Sequence, residues 1–188
     1  MIMGFFLGFV PDKDSVQKIS KISERIKEVF DGFGVDVRWV KPEGYHLTVV
    51  YLGEKISFFR KLYLNFKLKK FKFNKFSIKL GRVKLGISRK YKELIFMEVQ
   101  EGGDDMRDLC LQLRKTLRLS QDVDFVPHLT LGRVSKELSP QENSNIVRDL
   151  SLVSKDLENI NITFQVERMY MLKTVNGGYE IISIVELQ

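Results

Sequence analysis

Cysteine is almost missing from this chain. Cys110 stands alone among 188 residues, so no intramolecular disulfide can form and nothing marks an oxidising compartment. It lies in a stretch of helical periodicity, which reads as a core position. No apolar run approaches the roughly 20 residues that a membrane span needs. The opening Met1-Ile2-Met3-Gly4-Phe5-Phe6-Leu7-Gly8-Phe9-Val10 lacks a basic leader and a small-residue cleavage pattern and runs straight into Pro11-Asp12. It reads as a buried first strand rather than a secretion signal. A cytoplasmic monomer without membrane contact is expected. Histidine is scarce too: His46 and His128 are the only two. With one cysteine they leave only carboxylates to complete a metal site, so neither metal nor cofactor is expected.

Acidic residues are absent locally. Between Lys55 and Lys92 stand 14 Lys and Arg and no Asp or Glu, so this segment holds the whole excess behind a net charge of +7. Aromatics interleave with it in Phe66-Lys67-Leu68-Lys69-Lys70-Phe71-Lys72-Phe73-Asn74-Lys75-Phe76, and the alternation in the latter part predicts a strand with apolar and basic faces. Lys69, Lys70, Lys72 and Lys75 become candidates for contact with an RNA backbone, and a solvated, solubilising face is the plain alternative. A composition of 44% hydrophobic and 29% charged residues is ordinary for a globular chain of this length. One domain over 1–188, built of two intimately packed lobes, is expected.

The two histidines share a context: Tyr45-His46-Leu47-Thr48-Val49 and Pro127-His128-Leu129-Thr130-Leu131. Chance puts Leu-Thr after a given His on the order of once in two hundred times, so the repetition points to a duplicated site. On a strand, His46 and Thr48 share one face while Leu47 and Val49 take the other, and His128 with Thr130 repeats the pattern. A single His on such a strand is more often structural, but packing gives no reason for both histidines to share one context. Of two facing imidazoles, one can accept a proton while the other donates one. The Thr48 and Thr130 hydroxyls can hold an anion between them.

With these residues the chain resembles the two-histidine (2H) phosphoesterases, in particular the RNA 2′,3′-cyclic phosphodiesterases also called 2′-5′ RNA ligases. The resemblance runs from Phe5-Phe6-Leu7 before Pro11, through Trp39 and His46-Leu47-Thr48-Val49-Val50-Tyr51-Leu52-Gly53-Glu54, to Phe125-Val126-Pro127-His128-Leu129-Thr130-Leu131-Gly132-Arg133 and Met171-Leu172-Lys173 through Tyr179. It departs at Met3-Gly4, where the family often carries a basic residue. The resemblance implies hydrolysis of an RNA-terminal 2′,3′-cyclic phosphate to a 2′-phosphate, and with it a reversible 2′-5′ RNA ligation. His46 and His128 are then the catalytic pair in either order of roles, with Thr48 and Thr130 on the phosphate. It also implies a substrate contact for Arg133, which strict strand alternation turns away from His128 unless a bulge redirects it. Phe6 and Tyr179 are weaker substrate candidates. A small cyclic nucleotide, the cyclic phosphate of an ADP-ribose derivative, or a purely RNA-binding module remain alternatives.

Periodicity predicts a strand at Gly4–Val10, then a helix after Asp12-Lys13-Asp14 with Val16, Ile19, Ile22, Ile26, Val29 and Phe30 as its apolar stripe. Strands follow near Val35–Val40 and Tyr45–Leu52, with a short helix at Ser57–Leu68. The second half repeats this order: a strand at Leu94–Val99, the turn Gly102-Gly103, a helix to about Leu119 and the strand His128–Val134. A helix near Gln141–Leu152 and strands at Ile162–Leu172 and Tyr179–Leu187, joined by Asn176-Gly177-Gly178, close the chain. The fold class is α+β, and the duplication with the resemblance implies a bilobal pseudo-twofold fold. Mainly antiparallel sheets would line a central cleft, with helices outside.

Overall fold

Strand β1 (Phe5–Phe9) is apolar on both faces because it lies inside a sheet rather than at its edge. Asp12 then starts helix α1 (Lys13–Gly32): its carboxylate accepts from the Ser15 amide at 2.7 Å, satisfying a donor that the first turn cannot. Ile19, Ile22, Ile26 and Phe30 recur at helical spacing and are buried. Strand β2 (Val37–Trp39) and the 3-10 turn Pro42–Gly44 lead into β3 (Leu47–Gly53). Ser57 caps α2 (Phe58–Lys69) through the Arg60 amide. Strands β4 (Phe76–Leu85) and β5 (Leu94–Glu101) precede α3 (Gly103–Thr116), β6 (His128–Val134) and α4 (Pro140–Asp156). Strands β7 (Ile162–Val166), β8 (Arg168–Val175) and β9 (Gly178–Glu186) complete the order. This computed structural model describes residues 4–88, 91–121, 124–156, 160–175 and 178–188. The expected turn residues Asn176 and Gly177 lie outside them.

The strands form one antiparallel sheet in the order β7-β4-β5-β6-β3-β1-β8-β9, with β2 added beside β6. Its two halves mirror each other about the β3–β6 joint: β3, β1, β8, β9 on one side and β6, β5, β4, β7 on the other. In each half a central strand leads through a helix to the His-x-Thr strand, as the duplication requires. The joint is narrow, with Leu47 and Leu129 as its one bridging pair. The helices cross it. α3, which follows β5, packs on β3, while α1, which follows β1, packs on β7 and α4. Phe9, Phe30, Leu47, Met106, Leu129 and Cys110 all belong to the resulting core. The fold is the α+β, mainly antiparallel, bilobal arrangement expected.

Two expected strands differ. The alternating Phe71–Phe76 stretch is not a strand. α2 runs to Lys69, and the following extended piece is tied by backbone bonds to Gln188, through Lys75 to Gln188 and Gln188 to Phe73, with no ladder to a strand among the described residues. Regular pairing starts at Phe76, where β4 meets β7. Nor is Ile162–Leu172 continuous. The chain changes lobes at Glu167: Ile162–Val166 pairs with β4, and Arg168 onward pairs with β9 and β1.

Candidate active site

The two motifs meet at their centres. Leu47 and Leu129 are partners across the joint and both are fully buried, so the residues flanking each turn to the opposite face. Antiparallel register then sets Thr48 across from His128 and Thr130 across from His46, with directly opposed side chains about 5 Å apart at Cβ. Four polar side chains from two distant stretches of sequence thus share one small patch.

Each imidazole is held in the same way. His46 Nδ1 lies 2.7 Å from the Gly44 carbonyl oxygen, and His128 Nδ1 lies 2.8 Å from that of Val126. In both cases the acceptor is two residues upstream, supplied by the Pro42–Gly44 turn in one motif and by the residue before Pro127 in the other. A carbonyl oxygen only accepts, so both Nδ1 atoms donate and each neutral ring carries its lone pair on Nε2. Aromatic rings fix the planes. Phe6 lies 4.6 Å from the His46 ring and Tyr179 meets it edge-on at 5.7 Å, while Phe96 meets His128 edge-on at 5.7 Å.

Burial holds both imidazoles below the ordinary histidine range. For His46 desolvation is the main cause, opposed by the Gly44 carbonyl and reinforced by the charge of His128; for His128 desolvation again leads, opposed by the Val126 carbonyl and reinforced by Arg133. His46 therefore senses the charge of His128, and each ring is easily neutral near physiological pH.

A bulge follows each threonine. Gly8 pairs with Thr48 but Leu7 with Val50, so Val49 is extra; Phe96 pairs with Thr130 but Ile95 with Gly132, so Leu131 is extra. Each bulge reverses the alternation, and the residue five places after each histidine joins the histidine face. In the second motif this is Arg133, as its expected role requires. It is half-buried, its Nη1 lies 2.6 Å from Glu93 Oε1, and its guanidinium is 5.9 Å from the Tyr91 ring centroid. In the first motif it is Tyr51, whose ring crosses Gly4: a Cβ there would sit 2.5 Å from the phenol oxygen. Tyr51 thus fills the space beside the position where the family often has a basic side chain. Gly8 has its own reason, since a Cβ there would collide with the Leu47 carbonyl oxygen.

The structure therefore gathers His46, His128, Thr48, Thr130, Phe6, Tyr179 and Arg133. It does not bring Lys69, Lys70, Lys72 and Lys75 to them. These four are exposed, at the end of α2 and in the stretch beyond it. α2 packs against β9, with Ser183 Oγ donating to Asn65 Oδ1 at 3.3 Å. β9 is the sheet edge; its start carries Tyr179 to His46, whereas the α2 contact lies further along it at Ser183. Two cavities, of about 530 Å³ beside β4 and about 610 Å³ between α2 and β9, include neither histidine. Sequence reasoning missed Phe96 and Glu98. Glu98 pairs in register with His128 and is ion-paired to Lys84; only the β5–β6 register reveals either residue. Among the described residues no three His, Cys, Asp or Glu side chains gather as a metal site would need, and no helix is long and apolar enough to cross a membrane.

No family model matches the chain. It is 30% identical over 156 residues to the RNA 2′,3′-cyclic phosphodiesterase of Thermotoga maritima, covering 79% of this chain and 78% of that one. It is 29% identical over 140 residues to the protein of the same name from Archaeoglobus fulgidus, covering 73% and 76%. Its fold matches that of Escherichia coli LigT crystallised with ATP, at a TM-score of 0.70 and 16% identity over 99% of this chain and 98% of LigT. The duplicated motif, the mirrored sheet and the Thermotoga relative agree: the chain belongs to the RNA 2′,3′-cyclic phosphodiesterase family of two-histidine phosphoesterases.

Proposed function

We propose that this chain hydrolyses the 2′,3′-cyclic phosphate at an RNA end by passing protons through His46 and His128, with no metal. The observation that carries this reading is the matched pair of imidazoles, each pinned at Nδ1 and free at Nε2, on strands that meet at Leu47 and Leu129. Water attacks phosphorus in line with the 3′ oxygen. One Nε2 takes the water proton as the new P–O bond forms, and the other Nε2–H gives its proton to the 3′ oxygen as that P–O bond breaks, leaving a 2′-phosphate. The imidazolium, Thr48 and Thr130 stabilise charge on the phosphate oxygens. A ribose 5′-hydroxyl in the place of water, with the histidines in the same roles, would give a 2′-5′ linkage, and the two roles would exchange when the 3′-hydroxyl attacks that linkage to re-form the cyclic phosphate.

The proton-transfer groups fit within one cyclic phosphate, so a cyclic mononucleotide should also be a substrate. The experiment is turnover of cytidine 2′,3′-cyclic phosphate with excess EDTA present, followed by phosphorus NMR. Formation of the 2′-phosphate supports the reading. Activity that vanishes on chelation and returns with a divalent ion would overturn its metal-free part, and formation of a 3′-phosphate would overturn the direction of opening.

A further inference from the structure

Strand register carries the histidine face outward across the first half of the sheet. Thr48 stands opposite Gly8, Gly8 opposite Tyr170, and Tyr170 opposite Ile184. Directly opposed residues share a face, so these four positions form one row on the side that holds the histidines. A second row runs from Phe6, against the His46 ring, through Leu172 to Ile181. Neither row carries a charge. Gly8 adds no side chain, Tyr170 is half-buried, and Ile181 and Ile184 are 51% and 53% exposed. The rows make a contiguous apolar strip rather than scattered exposure. In the other half, the place beside His128 holds Glu98, which would repel a polyanion.

The strip ends at a cavity. Ile184 lines the space of about 610 Å³ between α2 and β9 together with Phe66, Phe71, Lys69 and Lys72. Phe66 is 57% exposed, and Lys70 Nζ lies 4.5 Å from its ring centroid. α2 has no acidic residue, and Glu186, the acid in the cavity lining, is ion-paired with Arg168 at 2.9 Å. Exposed rings among lysines suit bases and phosphates together.

We propose that this strip is a track for the single-stranded RNA that precedes the cyclic phosphate. The proposal rests on the reaction above, with the cyclic phosphate between the histidines. The nucleotides next upstream lay their bases on Tyr170, Ile181 and Ile184. A base further upstream stacks on Phe66, with Lys69 and Lys72 on the flanking phosphates. β9 runs about 15 Å from Tyr179, beside His46, to Ile184. An RNA end of a few nucleotides therefore reaches the cavity, and a mononucleotide does not. An apolar and basic helix face would by itself suit an anionic membrane equally well; the uncharged strip that joins it to the histidines favours RNA.

The test is kcat/KM for cytidine 2′,3′-cyclic phosphate and for the cytidine dinucleotide and pentanucleotide with the same end. The native chain should prefer the pentanucleotide to the mononucleotide about tenfold, the scale of one base stacked on an aromatic ring. Phe66→Ser should remove most of the gain between dinucleotide and pentanucleotide, through KM rather than kcat, and Phe66→Trp should keep it. Ile184→Asp should cost the pentanucleotide more than the mononucleotide. No native length preference, or equal losses on all three substrates, would overturn the track. Calorimetry with the pentanucleotide ending in a 3′-phosphate and with cytidine 3′-monophosphate decides independently of turnover. The native chain should bind the pentanucleotide about tenfold more tightly, and the Phe66→Ser, Ile184→Asp double variant should bind the two nearly alike. Equal native binding would overturn the track. A full native preference in the double variant, with binding to phosphatidylglycerol vesicles lost instead, would assign the face to a membrane and overturn it too. If none of the cyclic substrates is hydrolysed while the calorimetric preference holds, the assigned reaction fails and the track stands.

Discussion

Leu47 and Leu129, the middle residues of the two His-Leu-Thr motifs, face each other across the one bridging pair that joins the sheet halves. Both are fully buried, so the apolar contact that closes the core also sets the spacing of His46 and His128 above it. Replacing Leu129 by Ala should cost about 2–5 kcal/mol of stability. It should also lower kcat in the fraction that stays folded, because the joint has no second bridging pair to keep register. Denaturant melts combined with kcat measured well below the transition check both parts; normal kcat in the folded variant would show that the joint does not position the histidines.

The histidines act as a unit in the proposed reaction. His46→Ala and His128→Ala should each lower turnover about a hundredfold or more, and the double variant should lose little beyond either single one. Thr48→Ala and Thr130→Ala should lose less, since each removes one hydrogen bond to the phosphate. Near-normal turnover in either histidine variant would rule out the paired mechanism.

Acid should raise turnover before it destabilises the protein. One neutral and one protonated imidazole are needed, and burial lowers both, so the kcat/KM optimum of the free enzyme should lie on the acid side of about pH 6.5. Stability follows the same shifts. The unfolded chain takes up protons near the ordinary histidine value while the folded chain resists, so this contribution is fully present above about pH 6.5 and is lost as pH falls through the lowered values. A His46→Gln, His128→Gln double variant should therefore lose less stability between about pH 7.5 and about pH 5 than the native chain. A kcat/KM optimum on the alkaline side would contradict the shifts.

Charge reversal of Lys69, Lys70, Lys72 and Lys75 to Glu separates the sheet edge from the groove. An RNA oligomer long enough to reach α2 should bind more weakly and with a flatter salt dependence. Turnover of cytidine 2′,3′-cyclic phosphate should change little, because the four lysines stand at the end of α2 and in the exposed stretch beyond it rather than beside the histidines. Equal losses on both substrates would place the lysines beside the chemistry. No loss on either would leave them as a solvated face.

Gly8 sits against the Leu47 carbonyl at the first bulge. Gly8→Ala should push β1 from β3 and destabilise the protein by about 1–3 kcal/mol, with Thr48 displaced. Thermal melts that match the native protein would mean the strands accommodate a methyl group there.

The site was legible where it rests on residue identity and obscure where it rests on register. His46, Thr48, His128 and Thr130 could be read from the repeated motif, and α1 and α3 from their apolar stripes and the residues that start them. Arg133 could not be placed by alternation, because the bulge at Leu131 leaves no composition signal. Glu98 and Arg38 look like ordinary surface charges until strand pairing sets them beside His128 and Arg133. β4 was hidden by Gly81-Arg82, where its own irregularity breaks the period of two. The Phe71–Lys75 alternation misled for the opposite reason: an extended backbone alternates its side chains whether or not a neighbouring strand exists.

The crossing of α1 and α3 beneath the opposite halves makes each half a structural dependant of the other. A fragment holding one His-x-Thr strand would expose the apolar bed meant for its counterpart's helix. The two helices brace either side of the Leu47 and Leu129 pair, which ties the separation of the histidines to the packing of both halves at once.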